Sequence, residues 1–192
     1  MKTGKFRQYR WIWLLVILLV TGLACRLGSN TPATPTSPIP VSTEDAGKFE
    51  EQLKQAAEQA QKGETIELSF TEAELTSYLT LRLQDQPGLQ LSDVQVYLRD
   101  GKVQIFANYV EGPLSLPLKV IFIPKVDAQG NASLELESMK MGSIAVPDSL
   151  KSRIQEEANN TINQMLSDSG ENLFIESLTI QDGSLNLRGR PR

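Results

Sequence analysis

Apolar positions along the chain fall into three regimes. A continuous run from Trp11 to Ala24 gives way to a Pro/Ser/Thr stretch from Gly28 to Thr43, and from Glu44 onward helical and strand periods alternate. Between Glu44 and Lys62, Phe49, Leu53, Ala56, Ala57 and Ala60 recur at helical spacing, and Gly63 supplies a stop. The apolar face is narrow and alanine-rich, which predicts a helix on the outside of the domain. Ile66, Leu68 and Phe70 then alternate as a short strand. Thr71 and Glu74 have capping-box spacing and open a second helix, with Leu75, Tyr78, Leu79 and Leu83 on one side and Pro87-Gly88 at its end.

From Leu89 to Gln181 strand signals dominate. Val94, Val96 and Leu98 run into Asp100-Gly101 and return through Val103, Ile105, Ala107 and Tyr109, a strong hairpin pattern. After Gly112-Pro113, Leu114, Leu116, Leu118, Val120 and Phe122 share one face of a longer strand, with Ile121 and Ile123 on the other. A strand apolar on both faces is expected to be central, whereas Pro117 and Pro124 argue for an edge, a bulge or an irregular partner. A turn at Ala128 to Asn131 leads to Leu134 and Leu136, and the phase shift to Met139 and Met141 predicts a bulge near Ser138. Asp148 to about Ser167 reads as the longest helix, striped by Leu150, Ile154, Ala158, Ile162, Met165 and Leu166. A closing hairpin turns at Asp182-Gly183. The sum is an α+β fold, with about six or more mostly antiparallel strands and helices gathered against one face.

The first regime changes the picture most. MKTGKFRQYR carries Lys2, Lys5, Arg7 and Arg10 ahead of the apolar run, the order of an export signal. The run of 14 residues is about 21 Å long as a helix, against roughly 20 residues needed to span a bilayer. Cys25, the only cysteine, ends it after Gly22-Leu23-Ala24. This junction resembles the lipobox of bacterial lipoproteins, which implies diacylglyceryl attachment at Cys25. On the residues alone the thiol is lipidated, paired between chains, or idle, and the leader is a cleaved signal or a short signal anchor. Both alternatives place the remainder outside the cytoplasm, at a membrane. The expected organisation is a signal peptide over 1–24, a lipidated cysteine and stalk over 25–43, and one domain over 44–192.

Of the 19 Lys+Arg, four precede the apolar run, leaving 15 against 23 Asp+Glu and a net charge of −8. That balance excludes nucleic acid as a natural partner and argues against broad adhesion to anionic headgroups. The chain has no histidine, which removes the Ser-His-Asp triad, His-bearing metal sites and a His general base. Asp148-Ser149-Leu150-Lys151 reads as a helix start rather than a Ser-x-x-Lys site. The expectation is a non-enzyme without cofactor or metal.

The passage Phe70-Thr71-Glu72-Ala73-Glu74-Leu75, the hairpins after it, Gly142-Ser143-Ile144-Ala145-Val146-Pro147 leading into a long helix, and the closing Leu178 to Gly183 hairpin together resemble the YpmS-like and LmeA-like membrane-anchored bacterial domains. The resemblance implies a tubular-lipid-binding architecture, a curved antiparallel sheet wrapped on a long helix with room for acyl chains. A lipid or other apolar ligand would then be lined by Leu118, Val120, Phe122, Met139, Ile154, Ile162 and Met165. The alternative is an envelope scaffold or protein/cell-wall interaction module with a filled core, to which the same side chains belong as ordinary interior.

Overall fold

Ser42 turns the chain from extended to helical. Its hydroxyl accepts the Asp45 N–H at 3.0 Å, satisfying one of the donors that a helix start leaves open, and helix α1 (Thr43–Gln61) follows. The computed structural model describes residues 37–84, 91–168, 173–181 and 183–192, without the side chains of Glu111, Met165, Ser167 and Asp168. Cys25, the leader and Pro87-Gly88 lie outside that range. β1 (Ile66–Thr71) passes into α2 (Glu72–Gln84) through the expected capping box. Thr71 Oγ1 accepts the Glu74 N–H at 3.2 Å, and the Glu74 carboxylate accepts the Thr71 N–H at 2.7 Å. β2 (Leu91–Arg99), β3 (Lys102–Glu111), β4 (Leu114–Val126) and β5 (Ala132–Met141) come next, then α3 (Asp148–Asp168), β6 (Leu173–Gln181) and β7 (Ser184–Pro191). Asp100 and Gly101, between β2 and β3, take φ of 56° and 72°, as a type I′ hairpin turn demands.

The strands form two antiparallel sheets, not the one curved sheet expected. One is the meander β2-β3-β4-β5 and the other is β1-β7-β6. The break falls at α2. With a helix inserted directly after Thr71, β1 pairs with the last strand, from Ile66↔Gly189 to Thr71↔Ser184, instead of with β2. Nor is α3 enclosed by a sheet. It is 21 residues long, it lies along β5, and none of its described side chains is fully buried. Its stripe touches two apolar cores in turn. Ile154 and Ala158 meet the core on the four-stranded sheet, and Ile162 and Leu166 meet the core between α1 and the three-stranded sheet. In the latter core Phe49 packs on Phe70 and Tyr78 with ring centroids 4.5 Å and 4.3 Å apart, tying α1, β1 and α2 together.

β4 is an interior strand despite its two prolines, and the register explains why. Pro124 lies opposite Leu134, whose N–H and C=O both go to α3, so this pair shares no ladder bond with β5. The missing N–H of Pro124 therefore faces β3, which ends at Lys102 before reaching it. Pro117 faces the β5 side just past the last pair, Leu118↔Met141, where its carbonyl accepts the Gly142 N–H at 2.7 Å. Each proline puts its missing donor where the neighbouring strand has run out, so no ladder bond is lost. The expected bulge is also present, with the register shifting between Ile121 and Phe122 as their partners step from Ser138 to Leu136.

Helix side chains close both edges of the four-stranded sheet. On β2, Glu72, Thr76 and Thr80 of α2 meet alternate backbone groups. Leu98 N–H donates to Glu72 Oε1 (2.7 Å), Val96 N–H donates to Thr76 Oγ1 (2.9 Å), and Thr80 Oγ1 donates to Val94 O (3.3 Å). On β5, Leu134 N–H donates to Asn159 Oδ1 (2.8 Å) and Leu136 N–H to Gln155 Oε1 (2.6 Å), while Gln155 Nε2 donates to Leu134 O. The segment Ser37–Ser42, within the stretch read as stalk, is bonded to the domain as a strap. Ile39 N–H donates to Gln95 Oε1 and Gln95 Nε2 donates back to Ile39 O; Tyr97 Oη donates to Ser37 O, and Ser42 N–H donates to Ser77 Oγ.

Thr76 has no solvent exposure, so Thr76→Val leaves the Val96 N–H buried and unpaired at a cost of about 1–3 kcal/mol. Thr80→Val, at a half-buried site, is expected to cost less than half as much. Urea denaturation of the two variants checks the order.

Candidate functional site

The face of the four-stranded sheet turned toward α2, α3 and the β6–β7 hairpin is apolar across its successive described rows. Its cross-strand rows are set by the register: Leu98, Val103, Phe122 and Leu136; then Val96, Ile105, Val120 and Met139; then Ala107, Leu118 and Met141. These rows are the floor of the second core, with Leu79, Ile154 and Leu185 packed on it. The face does not stop where the core stops. Leu91, Tyr109 and Leu116 make a further row, half-buried, and beyond it Leu114 is 49% exposed. Ile144, bridged to Met141 in the loop after β5, is 52% exposed. Leu116 lies beside Gly142, at 3.6 Å from where a Cβ there would sit. The result is an apolar sheet face, covered at its inner end and exposed at the other, termed the trough for the cleft that uncovering it would open.

Five of the seven side chains expected to line a ligand come together here. Leu118, Val120 and Phe122 are buried in the floor, Met139 stands across from Val120, and Ile154 packs on them from α3. Ile162 does not join them. It lies two helical turns further along α3, over the core of Phe49, Phe70 and Ile175. The Met165 side chain lies outside the described residues. The open end, Tyr109, Leu114, Leu116 and Ile144, was not among the expected residues. Its signal was the mismatch between a 13-residue β4 and a 10-residue β5, which leaves β4 overhanging its neighbour.

A concavity of about 240 Å³ lies elsewhere, on the three-stranded sheet among Glu67, Ser69, Ser177, Asn186 and Arg188. Four of its polar groups pair with one another. Ser69 Oγ donates to Asn186 Oδ1 at 2.8 Å, and Arg188 pairs with Glu67 at 3.3 Å and Glu176 at 3.2 Å. None of the expected lining residues is there.

The carboxylates held below their ordinary range are caps and turns. Asp45 is held down by the Ser42 hydroxyl and then Lys48, Asp127 by the backbone N–H and then the side-chain amide of Asn131, and Asp148 by Lys151. All three are ionised at neutral pH and engaged in local structure. Among the described residues, no three His, Cys, Asp or Glu side chains gather as metal ligands, and no helix is long and apolar enough to cross a membrane. Compared with protein-family models and with curated proteins, the chain matches none.

Asp127 ties off the β4–β5 turn by accepting the N–H groups of Gln129 and Asn131 at 2.9 Å each. These bonds to the ionised carboxylate hold its folded pKa below that of a free aspartate. The stability it contributes is therefore complete above the unfolded value and disappears as pH falls through the lowered one. Asp127→Ala is expected to lower the urea midpoint at pH 7, and its difference from the parent is expected to shrink as pH falls through the lowered value.

Proposed function

We propose that this protein is a non-catalytic, extracytoplasmic binding module, held at the cell membrane through Cys25 or a short N-terminal anchor, that takes an acyl chain or another apolar ligand in the trough of the four-stranded sheet. The observation that carries this reading is the continuation of one apolar face from a buried floor to Leu114 and Ile144 in solvent, 49% and 52% exposed. Large apolar side chains left exposed in a contiguous patch mark binding surfaces, and ligand sites have mainly apolar walls with few polar groups. Two acyl chains at the cysteine would hold the domain stably, since each buried methylene contributes about 0.8 kcal/mol and one chain alone is marginal.

A ligand needs roughly 300 Å³ or more of apolar space, and the inner floor is occupied by its own side chains. The element able to make room is α3. It has no fully buried described side chain, and amide clips at Gln155 and Asn159 hold it to β5. Lifting it exposes the floor from the open end inward without breaking a strand ladder. The burial of Leu118, Val120 and Phe122 at 7%, 4% and 3% favours a second reading, in which the core stays filled and the open end receives an apolar side chain of a partner protein.

Titration with a fluorescent fatty acid separates the two, supported by native mass spectrometry of the purified protein for retained lipid. The expected result is saturable uptake, weakened at least about tenfold in Leu114→Asp/Ile144→Asp, each added charge costing upward of 1 kcal/mol in an apolar contact. Thermal unfolding should stay nearly unchanged, because both positions are exposed. Absence of uptake by the delipidated parent under every condition overturns the ligand reading and leaves the partner reading.

A further inference from the structure

The opposite face of the same sheet has a different chemistry. Phe106 is only 8% exposed, yet it belongs to neither core, and nor do Ile121 and Ile123 on the same side. It is covered by its own neighbours. Tyr97 meets it edge-on with centroids 5.7 Å apart, and the Lys119 ammonium stands 4.8 Å above its ring. Lys119 in turn lies directly opposite Lys140, on β4 and β5. Like charges in direct cross-strand register destabilise a sheet, and among the described residues no carboxylate offsets this pair. The acids within the same two strands are engaged elsewhere, Glu137 by Lys102 at 2.6 Å and Glu135 by Lys125. Asp93, at the far end, holds the Asn108 amide at 2.9 Å. Neither Lys119 nor Lys140 has a carboxylate partner among the described residues.

The strap ends on this face as well, with the Ser37 carbonyl accepting from Tyr97 Oη at 2.9 Å. Eleven residues separate Ser37 from Cys25, a reach of about 35 Å at roughly 3.1 Å per residue for a proline-rich segment. Ser37, where the described chain begins, thus joins the domain on the lysine pair's own face. We propose that this face docks on the anionic headgroups of a lipid bilayer, with phosphates seated between Lys119 and Lys140, and Tyr97 at the interface where tyrosine side chains settle. The proposal rests on the envelope reading above for the presence of a membrane, and on the face itself for its chemistry. The net charge of the chain opposes such docking at long range; the lysine pair acts at contact with the phosphates, and that contact is itself weakened as salt is added.

The test uses the compact unit Thr31–Arg192, which contains both cores in full and lacks Cys25, so that tethering plays no part. It is sedimented with vesicles of mixed phosphatidylglycerol and phosphatidylcholine, and with phosphatidylcholine alone, at low and high salt. Binding is expected only to the anionic vesicles and only at low salt. Lys140→Glu should weaken it about tenfold or more, since one attractive charge worth about 1 kcal/mol is lost and a repulsive one gained. The same substitution should raise the unfolding midpoint of the free domain by about one to three degrees, because it replaces a like-charge pair by an opposite one. Lys119→Glu should weaken binding likewise, and Lys54→Glu, an exposed position on α1, should leave it unchanged. Failure of the parent to bind anionic vesicles, equal binding to neutral ones, or an equal loss in the Lys54 variant overturns the proposal. Fatty-acid uptake is read separately, so either idea can fail without the other.

Discussion

The structure depends on a match of spacing between helix and strand. Four residues of α-helix advance about 6.0 Å and two residues of strand about 6.7 Å, so side chains at i, i+4 and i+8 of a helix can meet alternate backbone groups of a strand laid beside it. Glu72, Thr76 and Thr80 do this along β2, and Gln155 and Asn159 do it along β5. The two advances differ by about 0.7 Å per step, so the fit is good for two or three contacts and then drifts. The bonds on β2 lengthen in that order, from 2.7 Å at Glu72 to 2.9 Å at Thr76 and 3.3 Å at Thr80. An open edge is a template for unwanted pairing. Here both edges of the meander are capped by side chains, and the sheet stops at four strands.

Edge capping also accounts for what the amino-acid sequence could and could not reveal. Local chemistry was legible: the Thr71/Glu74 box, the Asp100-Gly101 turn, the phase shift beside Ser138 and the helix from Asp148 all have short-range causes. The division into two sheets was not, because alternation tells which face a residue occupies and says nothing about its neighbour strand. β1 finds β7 across more than a hundred residues, from Ile66 to Gly189, with no local signal for it. Thr76 and Ser77 read as ordinary polar positions of an amphipathic helix, yet both are fully buried, Thr76 on the Val96 backbone and Ser77 on the Ser42 N–H. The prolines of β4 argued for an edge when taken singly. Their harmlessness depends on where β3 and β5 end, which only the assembled register reveals.

The candidate site shows the same division. A shared face for Leu118, Val120 and Phe122 follows from a period of two, and Met139 and Ile154 reach it through register and helix packing. Ile162 belongs to the same helical stripe as Ile154 but to a different core, because α3 is long enough to leave one sheet and cover the next. A stripe on a helix identifies a buried face; it does not identify one neighbour.

The two ways of holding an element in place differ in what they allow. α1 and α2 are fixed to β1 by buried rings, Phe49, Phe70 and Tyr78, and separating them means exposing aromatic area worth several kcal/mol at about 25 cal/mol per Å². α3 is attached mainly by directional bonds from two amides to an edge strand and by half-buried aliphatic side chains. Such bonds exchange with water at a net cost of about 1 kcal/mol each, and local opening is expected where buried apolar contact is least. Of the three helices, α3 is therefore the one held with the least buried apolar contact. It also shares with α2 the cover of the four-stranded sheet's apolar floor.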